Sequence, residues 1–127
     1  MNDAGIPLYE AKAAFFRVLG HPVRIRVLEL LQEGPLPVRK LRGAIGVEPA
    51  ALSQQLAVLR RSGIVTATRT GTTVVYELAG GDVAGLLGAA RRTLPVVLTD
   101  RGELLAELRR ADAGRAPAEL PRVQEAS

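Results

Sequence analysis

Glycine and proline cut this chain into short pieces, and that punctuation constrains its fold more than any other feature. Gly20-His21-Pro22, Gly34-Pro35, the Gly46 to Pro49 connector, Gly63 and Gly71 leave room only for short helices and strands between them. Residues 8–19 place Leu8, Ala11, Phe15, Val18 and Leu19 at three-and-four spacing, the pattern of an amphipathic helix. Pro22 suits the first position of a second helix, because its missing N–H would have no partner there. That helix is expected to reach Gln32 and to stop at Gly34-Pro35. Its opening, Val23 to Val27, alternates like a strand, but the flanking Pro and Gly and the added Leu28, Leu30 and Leu31 favour helix.

Leu36-Pro37 leads into a short third helix, Val38 to Ala44, with Leu41 and Ile45 facing inward. A fourth helix runs from Pro49 to Ser62, and Gly63 fits the left-handed residue just past its end. Two short helices joined by a Gly-containing turn form a helix-turn-helix. Ile64 to Thr68 and Thr73 to Leu78 are rich in β-branched residues, with Arg69-Thr70-Gly71-Thr72 between them, which predicts a hairpin. Helices are expected again from Asp82 to Thr93 and, after Pro95, from Thr99 to Ala111, while the Pro-containing tail from 113 reads as disordered. The fold class is mainly α (α+β), in the order α-α-α-α-β-β-α-α, and a hairpin directly behind a helix-turn-helix makes it a winged helix. Expected boundaries are 1–93 for the winged unit with its dimerisation surface, 94–112 for a helical extension and 113–127 for the tail.

Composition removes most enzyme classes. A chain of 127 residues supports one domain with a core of its own. It has no Cys, which excludes thiol catalysis, disulfides and thiolate metal sites. Its single His, His21, leaves no His pair for metal or acid–base work and reads better as a capping or core residue. Aromatics make up 3%, too few for base-stacking platforms. No signal-peptide pattern opens the chain, and no apolar run approaches the ~18 residues of a membrane span, so the expectation is a cytoplasmic protein without membrane contact. Charge is uneven: residues 1–76 carry 10 basic and 5 acidic groups, whereas 77–127 carry 7 and 8, together giving the net +4. Basic charge gathered on one part of a small domain suits a polyanion, although a solubilising surface would look similar.

The fourth helix repays a face-by-face reading. At about 100° per residue, Leu52, Leu56 and Leu59 share one stripe, which must be buried. Ala50, Gln54, Ala57 and Arg61 cluster opposite, flanked by Ser53 and Arg60 on one edge. Small side chains allow close backbone approach to a major groove, Gln and Ser can bond base edges, and Arg can neutralise phosphate. The same residues also suit an ordinary solvated face. Arg69 and Thr70 in the hairpin, and Arg39, Lys40 and Arg42 on the third helix, would extend such a surface along the phosphates.

Three segments resemble the ArsR/SmtB-type bacterial transcriptional repressors. Leu19-Gly-His-Pro-Val-Arg-Ile-Arg-Val-Leu-Glu-Leu-Leu31 is similar to that family's L-x-x-P-x-R-x-x-I-L-x-x-L segment. Leu52-Ser-Gln-Gln-Leu-Ala-Val-Leu-Arg-Arg-Ser-Gly-Ile-Val65 resembles V-S-x-H-L-x-x-L-x-x-x-G-L-V, and Arg69 to Leu78 resembles R-x-G-x-x-x-x-Y-x-L. They occur in order and with family spacing over residues 8–93. The resemblance implies a homodimer, joined mainly through the first and fifth helices, that binds a near-palindromic double-stranded DNA operator and represses transcription. It implies base contacts from Ser53 and Gln54 and a wing contact from Arg69. Gln55, standing where the family usually has His, would make a backbone or base contact, although helical geometry puts it nearer the core. Phe15, Phe16, Val83, Leu86 and Leu87 would form the dimer seam, and Phe15 and Phe16 suit an intramolecular core equally well by spacing.

The departures concern sensing. Where relatives that bind soft metals carry C-V-C, this chain has Leu36-Pro37-Val38-Arg39. At the family's fifth-helix metal positions it has Gly80, Asp82, Thr93 and Val96, leaving one carboxylate where three or more ligands are the norm. Asp82 reads better as a helix N-cap. No cofactor and no metal are expected. The effector is open among a small organic ligand at the seam, a partner protein and none at all, with a weak oxygen-ligand site for a harder ion across the dimer as a further alternative. Two functions also remain: a DNA-binding repressor, and a winged-helix module for protein–protein association.

Overall fold

The fold is a computed structural model that describes residues 5–98 and 106–111. Helices α1 (Leu8–Leu19), α2 (Pro22–Leu31), α3 (Val38–Ile45) and α4 (Pro49–Ser62) come first, with a two-residue strand β1 (Leu36–Pro37) between α2 and α3. Strands β2 (Val65–Thr70) and β3 (Thr73–Leu78) follow, then α5 (Val83–Val97). The described part of the final segment, 106–111, is helical. The tail from 113 and the helix start at Thr99 fall outside the described residues.

Backbone chemistry sets these boundaries. His21 caps α2, its Nδ1 accepting from Val23 N at 3.1 Å, and Pro22 occupies the first turn. Gly46 and Gly63 end α3 and α4 at φ +80 and +86, conformations that cost a β-carbon-bearing residue most. Asp82 caps α5, its Oδ1 accepting from Gly85 N at 2.9 Å, as the sequence suggested. A β-carbon on Gly85 would run into the Asp82 carboxylate that caps the helix.

The core is a single cluster built chiefly on α2 and α4. Val27, Leu28 and Leu31 from α2 meet Leu41 of α3, Leu52, Leu56 and Leu59 of α4, and Ile64, Val65 and Val83. The α4 stripe is essentially sealed, with Leu59 at 0% exposure. Arg26 of α2 is the buried charge, paired through Nη1 with Glu29 Oε1 at 3.0 Å, while its Nε and Nη2 are buried without a hydrogen-bond partner.

Three sequence expectations need correction. The sheet has three antiparallel strands in the order β1-β3-β2, because Leu36 and Pro37 pair with Tyr76 and Val75. Two residues are too few for any periodicity to show. The hairpin turn is also tighter than expected: Arg69 and Thr70 continue β2 opposite Val74 and Thr73, leaving Gly71 (φ +64) and Thr72 as a two-residue turn. Finally, α5 does not stop near Thr93 but runs through Pro95 to Val97. Pro95 lies in its last turn, where proline removes one backbone hydrogen bond, and Leu98 N still reaches Leu94 O at 2.8 Å.

Candidate nucleic-acid interface

Helix α4 presents its two faces as the leucine spacing requires. With Leu52, Leu56 and Leu59 sealed in the core, Ala50, Ser53, Gln54, Arg60 and Arg61 are exposed, and Ala57 and Val58 are half-buried. The helix packs against α2 below and β2 beside it. Its exposed strip therefore begins with small and hydrogen-bonding side chains and ends in two guanidiniums. An amide that offers both donor and acceptor matches a base edge, and a guanidinium matches phosphate.

The surrounding basic residues are also free to meet a polyanion. Arg39, Lys40 and Arg42 on α3 and Arg69 and Thr70 on β2 are exposed. Among the described residues, no ion pair engages Arg39, Lys40, Arg42, Arg60, Arg61 or Arg69. Unpaired surface cations are already hydrated and accessible, so neutralising phosphate would not require breaking an internal salt bridge.

Gln55 differs from its neighbours. It is half-buried, and its Oε1 accepts from Arg24 Nε at 2.7 Å. Arg24 also donates through Nη1 to Val18 O at 2.8 Å and to Arg17 O at 3.5 Å. The sequence pattern contained Arg24 but gave it no role, because its partner on α4 lies 31 residues away.

At the expected dimer seam the residues divide. Phe15 and Phe16 are exposed at 36% and 54%, their rings in edge contact with centroids 5.9 Å apart. Leu86 and Leu87 are half-buried against the core, whereas Val83 is 7% exposed and is part of the core within its own chain. Sequence spacing did not separate these environments. Nor did it assign Ile6, Leu8, Tyr9, Val96 and Val97 to a seam, although these large apolar side chains are also exposed. Residues 8–17 of α1 are exposed throughout.

Among the described residues, no group of three or more His, Asp or Glu is placed to hold a metal ion. No described helix is long and apolar enough to cross a membrane. His21 has its pKa lowered, first by burial and then by the Arg24 charge, which keeps Nδ1 free to accept its capping bond.

A helix-turn-helix with a three-stranded wing, carrying an exposed amide-and-arginine strip on its second helix, defines the winged helix-turn-helix class. Residues 21–67 match the sequence profile of the bacterial regulatory protein arsR family. The HTH-type transcriptional regulator Rv0081 of Mycobacterium tuberculosis is 50% identical over 104 residues, covering 81% of this chain and 91% of that protein. Its crystal structure superposes with a TM-score of 0.66, covering 76% of this chain and 98% of that one. The transcriptional repressor BigR from Xylella fastidiosa is 38% identical, with a TM-score of 0.61 over 64% of this chain and 83% of its own. The homodimeric winged helix-turn-helix DNA-binding domain of Mb0332 from Mycobacterium bovis is 28% identical, with a TM-score of 0.62 over 76% of this chain and 94% of its own. This chain belongs to the ArsR family of transcriptional regulators.

Proposed function

We propose that this chain is a repressor that binds a near-palindromic DNA operator as a homodimer, within the bacterial cytoplasm and without a catalytic step of its own. The observation that carries this reading is the outward strip of α4, Ala50, Ser53, Gln54 and Arg61, held there by a fully buried leucine stripe. Ser53 and Gln54 read bases; Arg61, Arg69, Thr70, Arg39 and Lys40 contact the backbone or the adjacent minor groove. The winged unit together with all of α5, which runs past the expected boundary at 93 to Val97, supplies both recognition and dimerisation.

Dimerisation is supported by α1 itself. A 12-residue helix is marginal when isolated, and this one exposes Leu8, Tyr9, Phe15 and Phe16. A second copy would cover these side chains together with Leu86, Leu87 and the exposed end of α5. Two recognition helices would then stand about one DNA turn, roughly 34 Å, apart, which suits inverted half-sites.

Metal release fits this chain poorly, since it has no Cys and one His. The trigger is a small organic ligand at the seam or a partner protein, unless the repressor acts unregulated. A screen of metabolites and metals for release from DNA separates these cases.

Selection of duplexes from a random library tests the reading as a whole. The expected result is an enriched inverted repeat bound about 10³-fold or more above random DNA, with affinity falling steeply as salt rises. Equal binding to selected and random duplexes would exclude a sequence-specific repressor and favour a protein-association module.

A further inference from the structure

Arg24 sits half-buried on α2 and reaches two other helices at once. Through Nη1 it donates to Val18 O at 2.8 Å and, at longer range, to Arg17 O at 3.5 Å, in the last turn of α1. Through Nε it donates to Gln55 Oε1 at 2.7 Å on α4. Val18 O is a carbonyl that the helix end leaves without a backbone partner, since the residue four ahead is Pro22, whereas Arg17 O also accepts from Gly20 N at 3.2 Å; a helix C-terminus favours a cation. One planar group thus satisfies the end of α1 and grips the middle of α4.

The guanidinium is rigid, so its two donor directions are fixed relative to each other. Gln55 lies between outward Gln54 and buried Leu56, and anchoring it restrains rotation of α4 about its own axis. A rotation of about 20° would carry a side-chain tip roughly 6 Å from the axis through about 2 Å. Directed contacts tolerate only about 0.5 Å. The other end of the bridge is α1, the helix with the uncovered apolar surface.

We propose that Arg24 is a positioning residue that fixes the recognition helix against the dimer helix, with Gln55 as its anchor on α4 and not a reader of bases. This inference deepens the DNA-binding reading and rests on it. It also assigns a use to the conspicuous Gln at a position where the sequence resemblance leads one to expect His: its amide oxygen accepts the Arg24 Nε–H.

The test is a double-mutant cycle on duplexes selected by the unaltered chain from a random library, using Gln55→Ala, Arg24→Gln and the pair. Each single change is expected to weaken binding about tenfold, the range of one hydrogen bond to a charged group, and to erode base preference evenly across the half-site. The double variant should bind no more weakly than the worse single one. Losses that multiply, or a Gln55→Ala loss confined to one base pair, would overturn the proposal, because Gln55 would then act on DNA directly. Arg24→Lys supplies a charge without the fork and should recover no more than part of the affinity; full recovery would also overturn it.

A second readout needs no DNA. In the free protein, Gln55→Ala should shift the Arg24 Nε–H resonance and speed amide exchange along α4 while the protein stays folded. If neither changes, the anchor does not exist. Should the unaltered chain select no sequence at all, the repressor reading fails, and this second readout still decides whether Arg24 holds α4.

Discussion

Helices α1 and α4 have similar lengths, 12 and 14 residues, and α1 is the more apolar of the two, yet it is α4 that buries its apolar face. The three leucines of α4 are sealed in the core, and the opposite face is left clear. On α1 only Leu19 is buried, and Leu8, Tyr9, Phe15 and Phe16 face outward. One helix is complete within a single chain. The other leaves its apolar side chains uncovered within a single chain, and a second copy is the cover proposed above. Polar strips on a completed helix are available for recognition, whereas apolar strips on an incomplete one are available for assembly.

The largest expected effect lies on the completed side. Leu59→Ala removes a fully buried side chain and should cost about 2–5 kcal/mol, read as a lower Tm that does not depend on protein concentration. Phe16→Glu should instead leave the winged core folded and shift the protein from dimer to monomer in sedimentation. If Leu59→Ala is tolerated, or if the unaltered chain sediments as a monomer at micromolar concentration, the contrast between the two helices is wrong.

Smaller effects sharpen the comparison at helix starts. Gly85→Ala would ordinarily favour a helix by about 1 kcal/mol. Here its β-carbon meets the Asp82 carboxylate that caps α5, so losing the cap, at about 0.5–2 kcal/mol, should cancel that gain or turn it into a loss of up to about 1 kcal/mol. Thermal denaturation of the variant checks the sign. His21 carries the pH dependence. Its folded pKa lies below the ordinary 6.5, so the unfolded chain takes up the proton first. Stability should therefore be at its full value above pH 6.5 and decline as pH falls from there toward the folded pKa, and His21→Asn should keep a cap while removing that decline. The smallest effect is at Arg26. Its guanidinium is buried with two donors unpartnered, and Arg26→Met should be neutral or raise Tm by a few degrees.

Much of this was legible in the sequence because it is local. The leucine stripe of α4, the left-handed Gly63 and the Asp82 and His21 caps each depend on residues within a turn or two of one another. What escaped depends on distant pairing. The strand at Leu36 and Pro37 exists only because Tyr76 and Val75 lie beside it. The Arg24–Gln55 bond joins two helices through the fold. Val83 and Phe16 look alike as apolar residues on helices, yet one is in the core and the other faces out. Pro95 misled because its cost depends on how near the helix end it falls, and no local signal told where α5 would end.

The most direct test of the central claim is the base-preference profile of Gln54→Ala, measured beside Arg69→Ala on duplexes that the unaltered chain selects. Gln54 should govern one position in each half-site, so its loss should relax preference there by about 1–3 kcal/mol and leave other positions unchanged. Arg69→Ala should weaken all duplexes alike. Equal, position-independent losses from both would contradict the account, since the α4 strip would then touch DNA without reading it.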